Sequence, residues 1–259
     1  MTEEIITYKT DIYSFGCNFE VRINDIHLFS INNGNGVSLQ LPIDSFIQNG
    51  ENLITITIYS KKNRNFSEEP FKFKLEFFSQ TYKSNQKKAL ILGKVEHESN
   101  ELNSTKSIVS DFFPFKLDSF PQSTLLSNCH IIKEPNRYFE MLIKCYKELY
   151  SIFKNGSWDD YLSLIFAREQ DLSKIKQYSL EDRLNQMKSE FLSDYPYIQD
   201  NSFLLLESSN FKVEYGGRLL SIGNSFHEPF IECYYPAENI TTFHEHRFGI
   251  VEDKLIIVR

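Results

Sequence analysis

The chain has 259 residues, of which 41% are hydrophobic and 24% charged, with a formal net charge of −7. That balance is globular and excludes wholesale disorder, while ten glycines and eight prolines are too few for a collagen-like or low-complexity chain. An acidic chain of this kind lacks the basic surface that a general nucleic-acid binder needs to displace counterions from phosphates.

The N-terminus, MTEEIITYKTDIY, opens with acids and shows no basic n-region, apolar h-region or cleavage signature. The longest apolar runs, at residues 53–59 and 203–206, fall far short of the ~20 residues that cross a bilayer. The expectation is a cytoplasmic protein without membrane association. Cys17, Cys129, Cys145 and Cys233 are scattered, with no CxxC pair, which argues against a zinc ribbon or a redox motif and for free thiols.

Up to residue 96 the chain reads as short strands. Residues 17–24 place Phe19, Val21 and Ile23 on one face and Glu20 and Arg22 on the other. Residues 52–60 alternate Ile54, Ile56 and Ile58 with Thr55 and Thr57, and residues 70–78 alternate Phe71, Phe73, Leu75 and Phe77 with Lys72, Lys74 and Glu76. Such alternation means a sheet with one dry face and one wet face. Asn33-Gly34, Asn35-Gly36 and Asn49-Gly50 supply turns, so the region reads as an antiparallel sandwich or jelly roll.

Residues 97–135 read as a linker and packing segment. Residues 97–107 are polar and aperiodic, whereas residues 111–121 (DFFPFKLDSFP) carry four phenylalanines and two prolines and are expected to be irregular. From residue 136 the pattern turns helical. Residues 136–154 carry Tyr138, Met141, Leu142, Cys145, Leu149, Ile152 and Phe153 at helical spacing, and Asn155-Gly156 is a stop signal. Ser157 starts a second helix with Asp159 and Asp160 in its first turn. Residues 168–178 are polar and are expected to loop, and a third helix spans 179–193. Strands follow at 203–207, 211–215, 218–222, 229–235, 241–251 and 254–259, with Gly216-Gly217 signalling a hairpin. The fold class is therefore α+β, in three parts: a β-sandwich over 1–96, the linker over 97–135, and an α+β domain over 136–259.

Two stretches resemble known families. Residues 146–162 (YKELYSIFKNGSWDDYL) resemble the helix–turn–helix opening of NTF2-like (SnoaL-like) domains, and the hairpins around Gly216-Gly217-Arg218 and residues 253–257 suit their curved sheet. The resemblance covers residues 136–259. It implies a cone that holds a small ligand in some members, among them isomerases, dehydratases and hydrolases, and that only binds in others. The chain departs from the pattern in lacking a strand pair between the second and third helices and in a shifted acid after Ser157-Trp158. Residues 41–52 (LPIDSFIQNGEN) resemble the strand lead-in of galactose-binding-like accessory β-sandwiches, where it is a structural corner.

Candidate chemistry is sparse. No GxSxG, P-loop, GxGxxG or HExxH occurs. Strand alternation would put His244 and His246 on one face, with His227 from a neighbouring strand end, within reach of a metal ion; chance and a solvated face explain the pattern as well, so no metal or other cofactor is assigned. Acid–base candidates in a cone are Asp159, Asp160, Tyr161, Tyr215 and His244. The aromatic excess, 23 Phe and 14 Tyr, raises Phe112, Phe113, Phe115, Phe120, Phe226 and Phe230 as partner-contact candidates. The function expected is a non-enzymatic protein-binding module, an immunity protein neutralising a basic toxin or effector, or an adaptor. The alternative is a small-molecule enzyme using acid–base chemistry in the second half.

Overall fold

The structure is a computed structural model. It describes residues 5–32, 34, 36–60, 70–83, 86–99, 108–118, 120–176, 178–199, 211–222, 231–237, 240–244 and 246–258. The chain divides into two compact units, Met1–Pro121 and Gln122–Arg259.

The first unit contains β1 (Ile5–Phe15), β2 (Cys17–Ile23), β3 (Ile26–Ile31), β4 (Val37–Pro42), β5 (Gly50–Ser60), β6 (Lys72–Lys83), β7 (Gln86–Glu98) and β8 (Ile108–Leu117). They form two antiparallel four-stranded sheets, in the orders β4-β1-β6-β7 and β3-β2-β5-β8. The period-two pattern dictates the inner faces: Ile54, Ile56 and Ile58 of β5 and Phe73, Leu75 and Phe77 of β6 are all buried. The faces meet through aromatic rings. Phe19 of β2 packs on Phe73 of β6 at 5.1 Å between centroids, and Phe77 of β6 on Phe115 of β8 at 4.5 Å. Each such side chain contributes roughly 1.5–3 kcal/mol by leaving water.

The 41–52 segment is held by one buried asparagine. Asn52 accepts from the Gln48 N–H at 2.8 Å and donates to the carbonyls of Gln48 and Gly50, while the Asn24 amide donates to its Oδ1 at 2.8 Å. Asn24 itself sits at φ 51 in the tight β2–β3 turn and accepts from the Leu53 N–H at 3.0 Å. Two side-chain amides thus replace the ladder bonds that the chain gives up on entering β5.

Residues 111–121 are not the irregular segment expected. Residues 108–117 are strand β8, paired along its length with β5. Two facts hid it. Its outward residues Ile108, Phe112 and Pro114 are as apolar as its inward ones, and Asp111 points inward, so the alternation is blurred. Pro114 is tolerated because β8 is an edge strand.

The second unit opens with α1 (Thr124–Ser127), a 3-10 turn at Pro135–Tyr138, α2 (Phe139–Asn155), α3 (Trp158–Lys176) and α4 (Leu180–Asp194). Strands β9 (Phe211–Glu214), β10 (Leu219–Ile222), β11 (Ile231–Tyr235), β12 (Ile240–His244), β13 (Phe248–Val251) and β14 (Lys254–Ile257) follow. They form an antiparallel sheet in the order β14-β13-β10-β9 and a separate ribbon, β11-β12. Gly156 closes α2 in the left-handed region at φ 62, and the Ser179 hydroxyl caps α4 by accepting from the Asp182 N–H at 3.2 Å. The core joins Leu142, Leu149 and Phe153 of α2, Ile165 of α3, Phe191 of α4 and Leu220 of β10.

Three expectations are corrected here. Residues 168–176 continue α3 instead of looping. Their apolar face is reduced to Leu172 and Ile175 because Arg168, Glu169 and Asp171 are themselves buried beside them and paired. Asp171 accepts from the Ser123 hydroxyl and from the Thr124 N–H at 2.8 Å, so it caps α1 from across the unit. The strand expected over 241–251 is two strands, β12 and β13, in different sheets. The β9–β10 hairpin turns through four residues, Tyr215 to Arg218, with Tyr215, Gly216 and Gly217 all at positive φ, instead of through two. The strand expected at 203–207 lies outside the described residues.

No disulfide joins the four cysteines, and Cys145 alone among them is only half-buried. Among the described residues no helix is long and apolar enough to cross a membrane.

Candidate functional site

A polar interior of the second unit lies where α3 and α4 meet the break between β12 and β13. Tyr161, Arg168, Arg183, Met187, Glu190, Phe191, His244 and His246 line a pocket of about 190 Å³ there. Tyr161 is fixed by its ring, stacked on Phe191 at 5.1 Å with 16° between planes, and by Phe153 and Trp158. Its hydroxyl lies 3.1 Å from His246 Nε2. His246 is only 1% exposed, and its carbonyl accepts from the Tyr146 hydroxyl at 2.7 Å. Burial, then the neighbouring charges of Arg168 and His244, push the His246 pKa well below the usual histidine value. The neutral ring is the form this environment favours, and its Nε2 and the Tyr161 hydroxyl share a hydrogen bond. Burial likewise raises the Tyr161 phenol, against the pull of Arg168.

Charge in this pocket is balanced internally. Arg168 grips Glu169 through Nε and a terminal nitrogen, each at 2.7 Å. Glu169 also accepts from the Tyr178 hydroxyl at 3.2 Å and lies 3.7 Å from Arg183, which reaches Glu190 at 3.9 Å. Two arginines and two glutamates cancel in formal charge. The volume is also below the roughly 300–1,000 Å³ of ordinary small-molecule sites.

Beside the pocket, His244 stands at the end of β12 with its Nε2 3.0 Å from Asp194 Oδ2, and the Tyr235 hydroxyl donates to Asp194 Oδ1. Burial raises the Asp194 carboxyl, but the contacts with His244 and Tyr235 outweigh it and leave the pKa below the usual value.

The first unit presents a different feature. β7 is an edge strand, and among the described residues nothing pairs with its outer side. It displays Leu90 at 59%, Ile91 at 60% and Leu92 at 36% exposure in succession, next to an exposed Ala89. Three adjacent large apolar residues on a free edge are unusual, because natural edges are ordinarily blunted. The inner side of the strand is pinned at Gly93 by the Phe113 ring of β8. A shallow polar depression of about 380 Å³ on the other side of that sheet is lined by Asp11, Tyr13, Gln40, Lys74 and Glu76, in which Gln40 donates to Asp11 and Lys74 pairs with Glu76.

The expected site residues fall out unevenly. Asp159 and Asp160 are exposed at the start of α3, where the helix dipole accounts for them. Tyr161, His244 and His246 come together in the pocket, but the two histidines do not share a strand face: β12 ends at His244, and His246 lies beyond it, turned toward Tyr161. Tyr215 sits in the β9–β10 turn. Phe113, Phe115 and Phe120 pack within the first unit, Phe120 edge-on to Tyr8 at 5.5 Å, whereas Phe112 is 66% exposed. Phe226, His227 and Phe230 lie outside the described residues. Arg168, Glu169, Arg183 and Asp194 are residues the sequence did not single out, and Cys233 stood out only as one of four scattered thiols; the polar stretch read as a loop was the trace of Arg168 and Glu169. No family model, no curated protein and no solved structure matches this chain.

Proposed function

We propose that the chain is a protein-binding module that captures an extended segment of a partner by adding it as a strand to the free edge of β7. The observation that carries this reading is the run Leu90-Ile91-Leu92, exposed on an edge with an unpaired row of backbone groups among the described residues. Self-addition is disfavoured. An antiparallel pair centred on Ile91 would set Lys88 of one copy across from Lys94 of the other, and directly opposed like charges destabilise a ladder. The fitting occupant is a segment with an apolar centre and acidic flanks. The net charge of −7 separately supports long-range steering of a basic partner, which is what an immunity protein for a basic toxin would require.

A second reading has one observation behind it, the buried Tyr161–His246 pair lining a pocket. It supports small-molecule acid–base chemistry in an NTF2-like second unit, and the order of helices followed by antiparallel strands suits that family. The small pocket volume and internally balanced charges rank it second.

The test is selection of short peptides from a displayed library on the intact chain, repeated on Leu90→Lys and Ile91→Lys. Enriched peptides with an apolar centre, lost in both variants, support the reading. Peptides that bind the variants equally, or concentration-dependent dimerisation of the chain that the same variants abolish, overturn it.

A further inference from the structure

We propose that Asp194, Cys233 and His244 form a zinc site in the second unit. One ligand atom from each of the three lies within 4.8 Å of the other two, close enough for a single cation to satisfy all of them. This inference is independent of the docking edge on β7.

The backbone builds the cluster. In the β11–β12 ribbon Ile231 pairs with His244 and Cys233 with Thr242, so Cys233 and His244 are diagonal neighbours on one face. An isolated bridge between Ile198 and Cys233 ties the segment after α4 to β11 and delivers Asp194, the last residue of α4. Ligands thus come from a helix end and two paired strands, and little ordering is left for a metal to impose.

The donor set is a thiol sulfur, an imidazole nitrogen and a carboxylate oxygen. A mixed soft, borderline and hard set suits zinc, whereas calcium or magnesium would take oxygen alone. Three protein ligands leave one tetrahedral position for water or a further ligand. His244 Nε2 is shielded from solvent and, although 3.0 Å from Asp194, meets no partner in hydrogen-bond geometry. A cation between the two groups accounts for both facts. The Tyr235 hydroxyl on Asp194 Oδ1 is the outer partner that orients a carboxylate ligand and frees its other oxygen. His244 also lines the pocket beside Tyr161 and His246, so the metal would border that cavity.

The experiment is titration of the chelator-treated full chain with cobalt(II) alone, followed by zinc(II) competition. The expected result is one equivalent of cobalt with a thiolate-to-cobalt charge-transfer band in the near ultraviolet, displaced by zinc. The band disappears in Cys233→Ser and persists in Cys145→Ser. Tyr235→Phe keeps the ring that packs 4.8 Å from Tyr197 and weakens cobalt binding about tenfold or more, which decides the matter even if Cys233→Ser fails to fold. Absence of the band at one equivalent, a band that survives Cys233→Ser, or unchanged affinity in Tyr235→Phe overturns the proposal.

Discussion

The Phe113 ring occupies the space that a side chain at Gly93 would need. Gly93 lies on β7 beside the irregularity at Phe77/Phe78, and Phe113 lies on β8 of the facing sheet. The contact closes the sandwich at the edge that carries Leu90, Ile91 and Leu92. Gly93→Ala is expected to cost about 1–3 kcal/mol, because a methyl group overpacks a rigid aromatic contact. Phe113→Leu in the same chain should recover part of that loss. Urea denaturation of the two single variants and the double variant measures it, and simple additivity would contradict the contact.

Tyr161→Phe removes the hydroxyl facing His246 Nε2 and leaves a buried nitrogen without its partner. The expected loss is about 1–3 kcal/mol in denaturant titration, with secondary structure unchanged by circular dichroism.

Arg247, just before β13, and Glu214, at the end of β9, form an ion pair at 2.8 Å that is almost wholly buried. Arg247→Ala takes away the guanidinium that neutralises the buried Glu214 carboxylate, at an expected cost of about 3–5 kcal/mol. The double variant Arg247→Met, Glu214→Leu should lose much less, since the burden is a buried charge without its counter-charge and the apolar pair removes it. Thermal denaturation of both variants checks the difference.

On β7 the Glu96 carboxylate is hydrogen-bonded by Lys94 and Lys72, which hold its pKa at about 2. A carboxyl whose pKa is lower folded than unfolded adds stability above its unfolded value, and that stability fades as pH falls toward the folded value. The pair is open to solvent, so its energetic weight is small. The direct check is an NMR titration of Glu96, with an expected midpoint near 2 that moves back toward ~4.3 in a Lys72→Met, Lys94→Met chain.

Much of the fold was legible where one physical rule acted alone. β2, β5 and β6 are plain because each keeps a single dry face, and α2 is plain because its stripe ends in Asn155-Gly156. Legibility failed where side chains found partners distant in sequence. Arg168, Glu169 and Asp171 are polar on the inner side of α3 because Tyr178, Arg183 and the start of α1 meet them there, and no local pattern announces such partners. The same holds at the candidate sites. Tyr161 and the two histidines were visible as residue types, but Asp194 and Cys233 come into place only through the Ile198–Cys233 bridge. The exposure of Leu90, Ile91 and Leu92 was equally invisible, since an apolar run reads the same in an edge strand as in a central one.

If β7 is a docking edge, amide hydrogen exchange of the full chain, with and without a peptide selected on it, will register the added strand there. Slowed exchange is expected, concentrated in Gln86–Glu98, with the α2–α4 amides unchanged. Slowed exchange confined to the second unit around Tyr161 and His246, with β7 unaffected, would contradict it.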